Sequence, residues 1–374
     1  MEPKPEKICL ISFFSHEAFF LPLSHLREIL GEISPGLRSI LAVSPELAGK
    51  MAFDSRKDKI ILYKKQTSRL YRLINYGVLN LKISKKILLG SRDVDSYVFF
   101  WATGFLLPMM CAKVRNKKII WLLPSSTKKM DEHKGNFLNL MVIPLQFLSY
   151  KIADKIVLYS PNLIQEWELQ SYADKILIAH EHFIQFDTFT ITTPLHGRPL
   201  LIGYIGRLSD EKGVRRFVES LPEVMNHRKS LRVLIGGNGP LKEEIGVFLR
   251  EKKLTDQVEI AGWISHDHLP DYLNMLHLLV IPSFTEGLPN IMLEAMACGT
   301  PVAATSVGAI PDSIRDGETG FIIKNNSPEC ISANIIRALE DPDREKIAMN
   351  AKKMVEKEFS FESTVMQWKK ILNS

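Results

Sequence analysis

Short apolar runs alternate with amphipathic stretches along the 374-residue chain. In the N-terminal half the runs have the length and composition of buried strands, and the stretches between them have helical spacing. Such alternation predicts an α/β fold built on mainly parallel sheets. The predicted strands of this half are KICLISFFS, RSILAVS, KIILY, SYVFFWA, KKIIWLL, DKIVLYS and KILIAH.

The alternation is interrupted once and then resumes. Residues 186–199 are aperiodic and rich in Thr and Pro, which predicts an interdomain linker. We therefore predict two doubly wound, Rossmann-like domains over 1–185 and 200–358, followed by a helical tail over 359–374. The predicted strands of the second domain are LLIGYIG, LRVLIGG, QVEIAGW, LLVIPSF, PVAATSV and GFIIKN.

The most informative stretch is SFTEGLPNIMLEAMACGTP, which starts at Ser283. Glu286 lies just before a predicted helix and Glu294 lies within it, so the two carboxylates would address different parts of one elongated ligand. The backbone amides of Gly287, Leu288 and Asn290 at the helix start would bind an anion. These features predict a nucleotide-sugar site. The alternative is a solvated surface helix that follows an ordinary turn.

Two glycine turns after predicted strands add to this site. LLIGYIGRLSDEKG ends its strand in Gly206, followed by the cations Arg207 and Lys212, which would neutralise a diphosphate. LRVLIGGNGP places Gly239 in a turn where backbone can approach a ligand closely. On its own the second turn would be read as an ordinary loop.

The segments GRLSDEKG, GGNGP, EGLPNIMLE and ACGTPVAATSVGAIPDSIRDGETGFII occur in this order. In them the C-terminal half resembles the retaining glycosyltransferases of family 4 (group 1), which have the GT-B fold. The resemblance implies two Rossmann-like domains facing each other across a cleft, with the tail crossing back to the first domain. It implies that Glu286 is catalytic beside the transferred sugar and that Glu294 binds the ribose. Arg207 and Lys212 match the cations on the donor diphosphate, and VGAIPD, with Asp312 where glutamate is common, matches a family turn.

The implied reaction moves a sugar from a nucleotide-sugar donor to a glycan or polyprenyl-linked acceptor with retention of configuration. No cofactor and no metal are expected, because we find no Asp-x-Asp pair of the kind that holds a divalent metal on a donor diphosphate, and the two cations already serve the diphosphate. Two alternatives use the same motifs. One is a GT-B nucleotide-sugar epimerase, and the other is a non-catalytic descendant that binds a sugar or a membrane.

The N-terminal half departs from the family pattern. The first turn reads SFFSHEAFF, and PSSTKKMDEHKG stands where a histidine is common. Ser15, His16 and His133 are therefore the acceptor-side candidates, and a surface or structural role is the alternative for each histidine. His180 and His182 alternate in AHEHF, but further metal ligands are not identifiable, so a structural role is favoured.

Charge is concentrated in the N-terminal half, although the net charge is only +6. Between Arg56 and Arg92 there are eleven basic residues and one acidic residue. Residues 67–90 interleave cations with Leu, Ile and Tyr, which predicts contact with an anionic membrane surface. A solvated basic helix is the alternative. Nucleic acid is not predicted as a partner, because an aromatic platform or groove-reading motif is missing.

Four widely spaced cysteines lack disulfide or metal-site spacing, which favours a reducing compartment. The N-terminus lacks the order of a signal peptide, and no apolar run reaches the roughly 18 residues of a spanning helix. We therefore expect a cytoplasmic protein, with a peripheral position at the inner face of the membrane as the accompanying hypothesis.

Overall fold

The computed structural model describes residues 6–14, 20–49, 53–63, 69–90, 93–102, 104–124 and 137–374. The chain forms two compact α/β units. Unit 1 comprises Met1–Phe183 and Phe361–Ser374, and unit 2 comprises Ile184–Ser360. All thirteen strands predicted from the sequence are present, and both sheets are parallel throughout.

Unit 1 contains a seven-stranded sheet in the order β3-β2-β1-β4-β5-β6-β7. Its central strands are buried along most of their length, which is why their sequences are nearly continuous apolar runs. The strands are β1 Ile8–Phe14, β2 Arg38–Val43, β3 Asp58–Leu62, β4 Ser96–Phe100, β5 Lys118–Leu122, β6 Lys155–Leu158 and β7 Ile176–Ile178. The helices are α1 Phe20–Ile33, α2 Pro45–Ala48, α3 Arg69–Leu89, α4 Leu106–Val114, α5 Phe137–Ile152 and α6 Asn162–Glu166.

Unit 2 contains a six-stranded sheet in the order β10-β9-β8-β11-β12-β13. Apolar side chains of this sheet and of the surrounding helices form one core. The strands are β8 Leu201–Ile205, β9 Arg232–Gly236, β10 Val258–Gly262, β11 Leu278–Ile281, β12 Val302–Thr305 and β13 Phe321–Ile323. The helices are α7 Val214–His227, α8 Lys242–Glu251, α9 Leu269–Met275, α10 Asn290–Ala297, α11 Ile310–Ser313, α12 Pro328–Glu340 and α13 Arg344–Glu358.

Strand order reverses between β8 and β11, which are hydrogen-bonded neighbours although β9 and β10 lie between them in sequence. In a doubly wound sheet this reversal opens a crevice beyond the carboxyl ends of the two strands, where ligands bind. The segments that follow β8 and β11 carry Gly206, Arg207, Lys212 and Glu286. The fold therefore places these residues at the expected ligand-binding edge of unit 2.

The segment predicted as a linker, 186–199, packs on unit 2. Phe189, Leu195 and Arg198 within it are buried. The Arg198 guanidinium donates hydrogen bonds to the carbonyls of Thr193 and Cys298 at 2.9 and 2.7 Å and to further acceptors near α9. Burial lowers the pKa of Arg198 to about 10. The Thr- and Pro-rich composition of segment 186–199 is typical of a linker, and these contacts hold the segment against unit 2.

The last helix, α14 Phe361–Asn373, belongs to unit 1 and packs against α1. Trp368 Nε1 donates to the carbonyl of His180 at 2.8 Å, and Thr364 Oγ1 donates to the carbonyl of His182 at 3.1 Å. The backbone around AHEHF is thereby used to hold this helix. A structural role for this segment accounts for these contacts.

Glu181 stands between the two histidines in the sequence, and its side chain is buried. Tyr159 OH donates to Glu181 Oε1 at 2.6 Å. Burial raises the pKa of Glu181 to about 8 and lowers the pKa of His180 to about 4, because both groups are more stable uncharged there. Within the described residues no three His, Cys, Asp or Glu side chains are grouped so as to hold a metal ion.

Candidate functional site

Four of the sequence-predicted site residues share one cavity of about 130 Å³ at the switch between β8 and β11. Gly206 and Lys212 reach it from the segment after β8, and Glu286 and Asn290 reach it from the segment after β11. Residues far apart in sequence are thus brought to one position by strand adjacency. The cavity combines a glycine backbone, a cation and a carboxylate.

Lys212 and Glu286 form an ion pair in this cavity. Lys212 Nζ lies 2.7 and 2.8 Å from the two carboxylate oxygens of Glu286. Lys212 ends a single 3-10 turn, and Gly213 leaves that turn with a left-handed φ of 70°. A Cβ at Gly213 would lie 1.8 Å from the carbonyl oxygen of Pro282, so only glycine allows this close approach. The turn is therefore pressed against the end of β11.

The Glu286 carboxylate is almost fully enclosed, with 8% of its side chain exposed. Ser283 Oγ donates a hydrogen bond to Glu286 Oε1 at 2.7 Å, and Thr305 Oγ1 donates to the Ser283 carbonyl at 2.5 Å. A buried carboxylate is stable in its charged form only when its charge is paired and its oxygens accept hydrogen bonds. Lys212 and Ser283 meet both requirements, so Glu286 is held in one orientation.

A turn after β12 packs against the backbone of the segment that carries Glu286. Gly308 has a φ of 61°, and a Cβ there would lie 2.3 Å from the Glu286 carbonyl oxygen and 2.7 Å from that of Gly287. Ala309 N donates to the Gly287 carbonyl at 2.8 Å. The VGA triplet of the sequence motif thus has a packing role. This packing fixes the position of the loop that carries Glu286.

Helix α10 begins directly after this loop, with Pro289 at its N-cap position. The backbone amides of Gly287, Leu288 and Asn290 have no hydrogen-bond acceptor within the described part of the chain. Unpaired amides and the positive end of the helix dipole together favour an anion at this point. The second cation, Arg207, is 60% exposed and lies 3.7 Å from Glu211 Oε1, so its side chain remains accessible from solvent.

The glycine turn after β9 packs against the segment that carries Arg207. Gly239 approaches Leu208 so closely that a Cβ would lie 2.2 Å from the Leu208 carbonyl oxygen. Leu208 N donates to the Asn238 carbonyl at 3.0 Å, which ties the two loops together. Tyr204 OH donates to the Arg207 carbonyl at 2.6 Å. Gly239 therefore shapes the edge of the site by supporting this backbone.

Glu294 lies one turn inside α10 and is buried. Its Oε1 lies 3.1 Å from His266 Nε2, and the ring of Phe189 meets the His266 ring edge to face at a centroid distance of 5.2 Å. The hydrogen bond and the charge of Glu294 raise the pKa of His266. No sequence motif includes His266. Only the fold shows that it is the partner of Glu294, the residue predicted to bind the ribose.

The acceptor-side candidates Ser15, His16 and His133 lie outside the described residues. Trp101 was not identified from the sequence, yet it follows β4, which neighbours β1 at the strand-order reversal of unit 1. Trp101 has a φ of 51°, an uncommon conformation for a bulky residue and one that concentrates at binding sites. A cluster of aromatic rings packs at the same carboxyl edge of the sheet, formed by Phe13, Tyr63, Tyr76 and Phe105.

Comparison with solved structures identifies the fold. HepE from Anabaena, solved in complex with UDP, is similar with a TM-score of 0.77 and 16% identity, over 98% of this chain and 99% of that chain. The lipopolysaccharide outer core galactosyltransferase WaaB in its apo form is similar with a TM-score of 0.71 and 16% identity, over the same shares. The two parallel-sheet units are therefore those of the GT-B fold.

Sequence comparison concerns mainly unit 2. The alpha-D-kanosaminyltransferase of Streptomyces kanamyceticus is 33% identical over 159 residues, which is 42% of this chain and 41% of that protein. The capsular polysaccharide biosynthesis glycosyltransferase CapM of Staphylococcus aureus is 30% identical over 162 residues, 43% of this chain and 42% of CapM. The match thus spans about two fifths of the length of these relatives. On this GT-B fold, residues 187–354 match the family described as glycosyl transferases group 1.

Proposed function

We propose that this protein is a retaining glycosyltransferase of family 4, which transfers a hexosyl group from a nucleotide-sugar to a glycan or polyprenyl-linked acceptor. The observation that carries the proposal is the enclosed Lys212–Glu286 pair beside the unpaired amides of Gly287, Leu288 and Asn290. The same site thereby offers a carboxylate that would bind the sugar, and a cation and backbone amides that would bind the diphosphate. The match of residues 187–354 to the group 1 family supports the same activity.

Charge separation during transfer explains the arrangement. When the bond between the anomeric carbon and the phosphate oxygen breaks, negative charge grows on the diphosphate and positive charge grows on the sugar. Lys212, Arg207 and the amides of α10 would stabilise the leaving group more strongly in the transition state than in the ground state. Glu286, held by Ser283, would favour the developing positive charge of the sugar. No metal is required in this scheme.

The proposed acceptor side is unit 1. By resemblance to family 4, the acceptor hydroxyl attacks from the face that the diphosphate leaves, and the leaving phosphate takes its proton, so the configuration is retained. The carboxyl edge of the unit 1 sheet carries Trp101 and the aromatic cluster, and flat aromatic faces suit the apolar faces of sugar rings. Four free thiols among the described residues support a cytoplasmic setting.

A nucleotide panel tests the donor site. We expect UDP, which HepE binds, or one of GDP, ADP and dTDP to raise the thermal midpoint of the protein. A ligand at 100 times its dissociation constant adds about 2.7 kcal/mol to the free energy of unfolding. In the variant Arg207→Ala/Lys212→Ala this gain should disappear, because the cations that bind the diphosphate are gone. Differential scanning calorimetry with each nucleotide and its common sugar conjugates provides the measurement.

The matched control is Arg250→Ala/Lys242→Ala, which removes the same charges from the exposed surface of α8. It should keep the full nucleotide response. A response retained in the Arg207→Ala/Lys212→Ala variant would place the nucleotide elsewhere and contradict the assigned donor site.

We further propose that α3 and its neighbours contact an anionic membrane surface. The solvent side of α3 is largely apolar, with Leu81 62% and Leu89 75% exposed beside Lys82 and Lys85. Helices α4 and α5, which continue the same layer, also expose large apolar side chains. These are Leu107, Met110, Val114, Leu145, Phe147 and Leu148. Helices with apolar faces and interleaved cations lie in the interface of anionic bilayers. None of the described helices is long and apolar enough to span a bilayer.

Removing charge from α3 tests this surface. Lys82→Gln/Lys85→Gln/Lys86→Gln should weaken binding to phosphatidylglycerol vesicles about 100-fold, because each lysine near an anionic surface contributes about 1 kcal/mol. Wild-type binding should fall as salt is raised. Vesicle sedimentation measures both effects, with Lys353→Gln/Lys369→Gln/Lys370→Gln as the control of equal charge change. If the two triple variants bind equally well, α3 is an ordinary solvated helix.

A further inference from the structure

A second and larger cavity lies in unit 1, at the opposite edge of the sheet from the carboxyl ends of its strands. It has a volume of about 830 Å³, within the range of small-molecule sites. Its floor consists of the first residues of β1, β2 and β4 and of the edge strand β3, where Cys9 pairs with Arg38 and Tyr97, and Ile40 pairs with Lys59. The C-terminal half of α3 forms one wall.

The lining of this cavity is strongly basic. Seven cations line it and no acidic residue is among the described lining residues. These cations are Arg38, Arg56, Lys57, Lys59, Lys82, Lys85 and Lys86. They come from β2, from β3 with the turn before it, and from α3, so the charge results from the fold and exceeds that of the basic helix alone. A cavity lined by one sign of charge concentrates ligands of the other sign.

Two of the seven cations are already paired. Arg38 donates to Asp93 at 3.1 and 3.3 Å, and Arg56 Nε lies 3.6 Å from Asp54 Oδ1. Lys57 interacts electrostatically with Asp54, and the four lysines of β3 and α3 have no acidic partner within the described part of the chain. Their charges are therefore uncompensated by the protein in the cavity, and an anion is the ligand that would compensate them.

The end of α3 would repel an anion if its carbonyls faced the cavity unpaired. Arg115 prevents this, because its Nη1 donates to the carbonyls of Ile87 and Gly90. The guanidinium thereby offsets the negative end of the helix dipole next to Lys86. The carbonyl groups at the C-terminal end of α3 are therefore capped, and the charged side chains that line the cavity are cations.

We propose that this cavity is a binding site for a phosphate or diphosphate group, separate from the donor site of unit 2. Leu62 and Leu89 line it and are 53% and 75% exposed, so an apolar substituent on the phosphate has a surface to contact. The phosphate is therefore that of an anionic lipid headgroup or of a free diphosphate. Four unpaired ammonium groups suit either, since ammonium–phosphate hydrogen bonds are charge-assisted and strong.

The test uses inorganic pyrophosphate with the donor site silenced. In the Arg207→Ala/Lys212→Ala variant, pyrophosphate should still raise the thermal midpoint at constant ionic strength. Adding Lys59→Gln/Lys85→Gln, one change on β3 and one on α3, should weaken the apparent affinity at least about tenfold, because two of the donors of charge-assisted hydrogen bonds to the phosphate are removed. Adding Lys369→Gln/Lys370→Gln, two exposed lysines of α14 outside the cavity, should leave it unchanged.

A second arm separates the two sources of the phosphate. Dioctanoyl phosphatidic acid below its micelle concentration is compared with pyrophosphate in the same variants, with dioctanoyl phosphatidylcholine as the neutral-headgroup control. Tighter binding of phosphatidic acid identifies a lipid headgroup, and tighter binding of pyrophosphate identifies a free diphosphate. The proposal is overturned if Arg207→Ala/Lys212→Ala alone removes the pyrophosphate response, or if Lys59→Gln/Lys85→Gln leaves it intact. Loss of the nucleotide response does not affect this outcome, because the donor site is already silenced.

Discussion

Glu286→Gln should reduce turnover by about 10²–10³-fold while the protein stays folded, the loss typical of removing one preorganised electrostatic contact from an active site. The amide has the size of the carboxylate and still accepts the bond from Ser283 Oγ, so the loop keeps its shape. The negative charge that favours the developing positive sugar is lost, and Lys212 loses its ion-pair partner. Nucleotide release from the sugar conjugate that stabilises the protein measures the effect.

Glu243→Gln is the matched control, because Glu243 lies on the exposed side of α8, away from the cavity at the β8–β11 switch. It should turn over at the wild-type rate. A circular dichroism melt of both variants establishes that they are folded. Turnover of Glu286→Gln within about twofold of wild type would exclude Glu286 as a catalytic residue, since an essential charge contributes far more than that.

Arg198→Met should lower the free energy of unfolding of unit 2 by about 3–5 kcal/mol, because buried acceptors left without a donor are costly. Arg198 is only 5% exposed. Its guanidinium donates to the carbonyls of Thr193, Leu276 and Cys298 and to Thr300 Oγ1 at 2.7–3.0 Å. Methionine fills the space of the aliphatic stem but supplies no donor. For a unit of this size the thermal midpoint should fall by roughly 10 °C.

Arg198→Lys should recover only part of this loss, because one ammonium group cannot reproduce the planar fork that reaches separated carbonyls. Arg250→Met on the exposed surface of α8 is the control and should shift the midpoint by less than about 2 °C. Calorimetry of the full chain distinguishes the two units if their transitions separate. An Arg198→Met midpoint close to that of Arg250→Met would mean that water replaces the lost donors.

Strand positions were readable from the sequence because buried parallel strands are continuous apolar runs. KKIIWLL, for example, forms β5 Lys118–Leu122, whose last four residues are buried. The sequence placed Gly206 and Gly239 in turns, but the left-handed conformations of Gly213 and Gly308, which allow close approach to another backbone, were found only in the structure. Composition does not reveal tertiary contacts. The Thr- and Pro-rich segment before β8 has no periodicity, yet the hydrogen bonds of Arg198 fix it to unit 2.

Pairings between distant residues could not be predicted from local pattern. Lys212 and Glu286 were both assigned to the site, but their direct ion pair depends on β8 and β11 being neighbours. His266 lies in no motif, and its contact with Glu294 depends on how the loop after β10 folds back toward α10. The basic cavity of unit 1 is a further example, because its cations come from three elements whose arrangement only the sheet order determines.

The position of α14 in unit 1 has a consequence for synthesis of the chain. Because unit 1 is completed by residues after 360, all of unit 2 leaves the ribosome before the first unit has its last helix. Until then the carbonyls of His180 and His182 lack the donors Trp368 and Thr364, and the side of α1 that α14 covers is open. The order of maturation is thus reversed relative to the order of the sequence: the later unit can finish folding first, and the earlier one remains an incomplete intermediate until α14 has emerged.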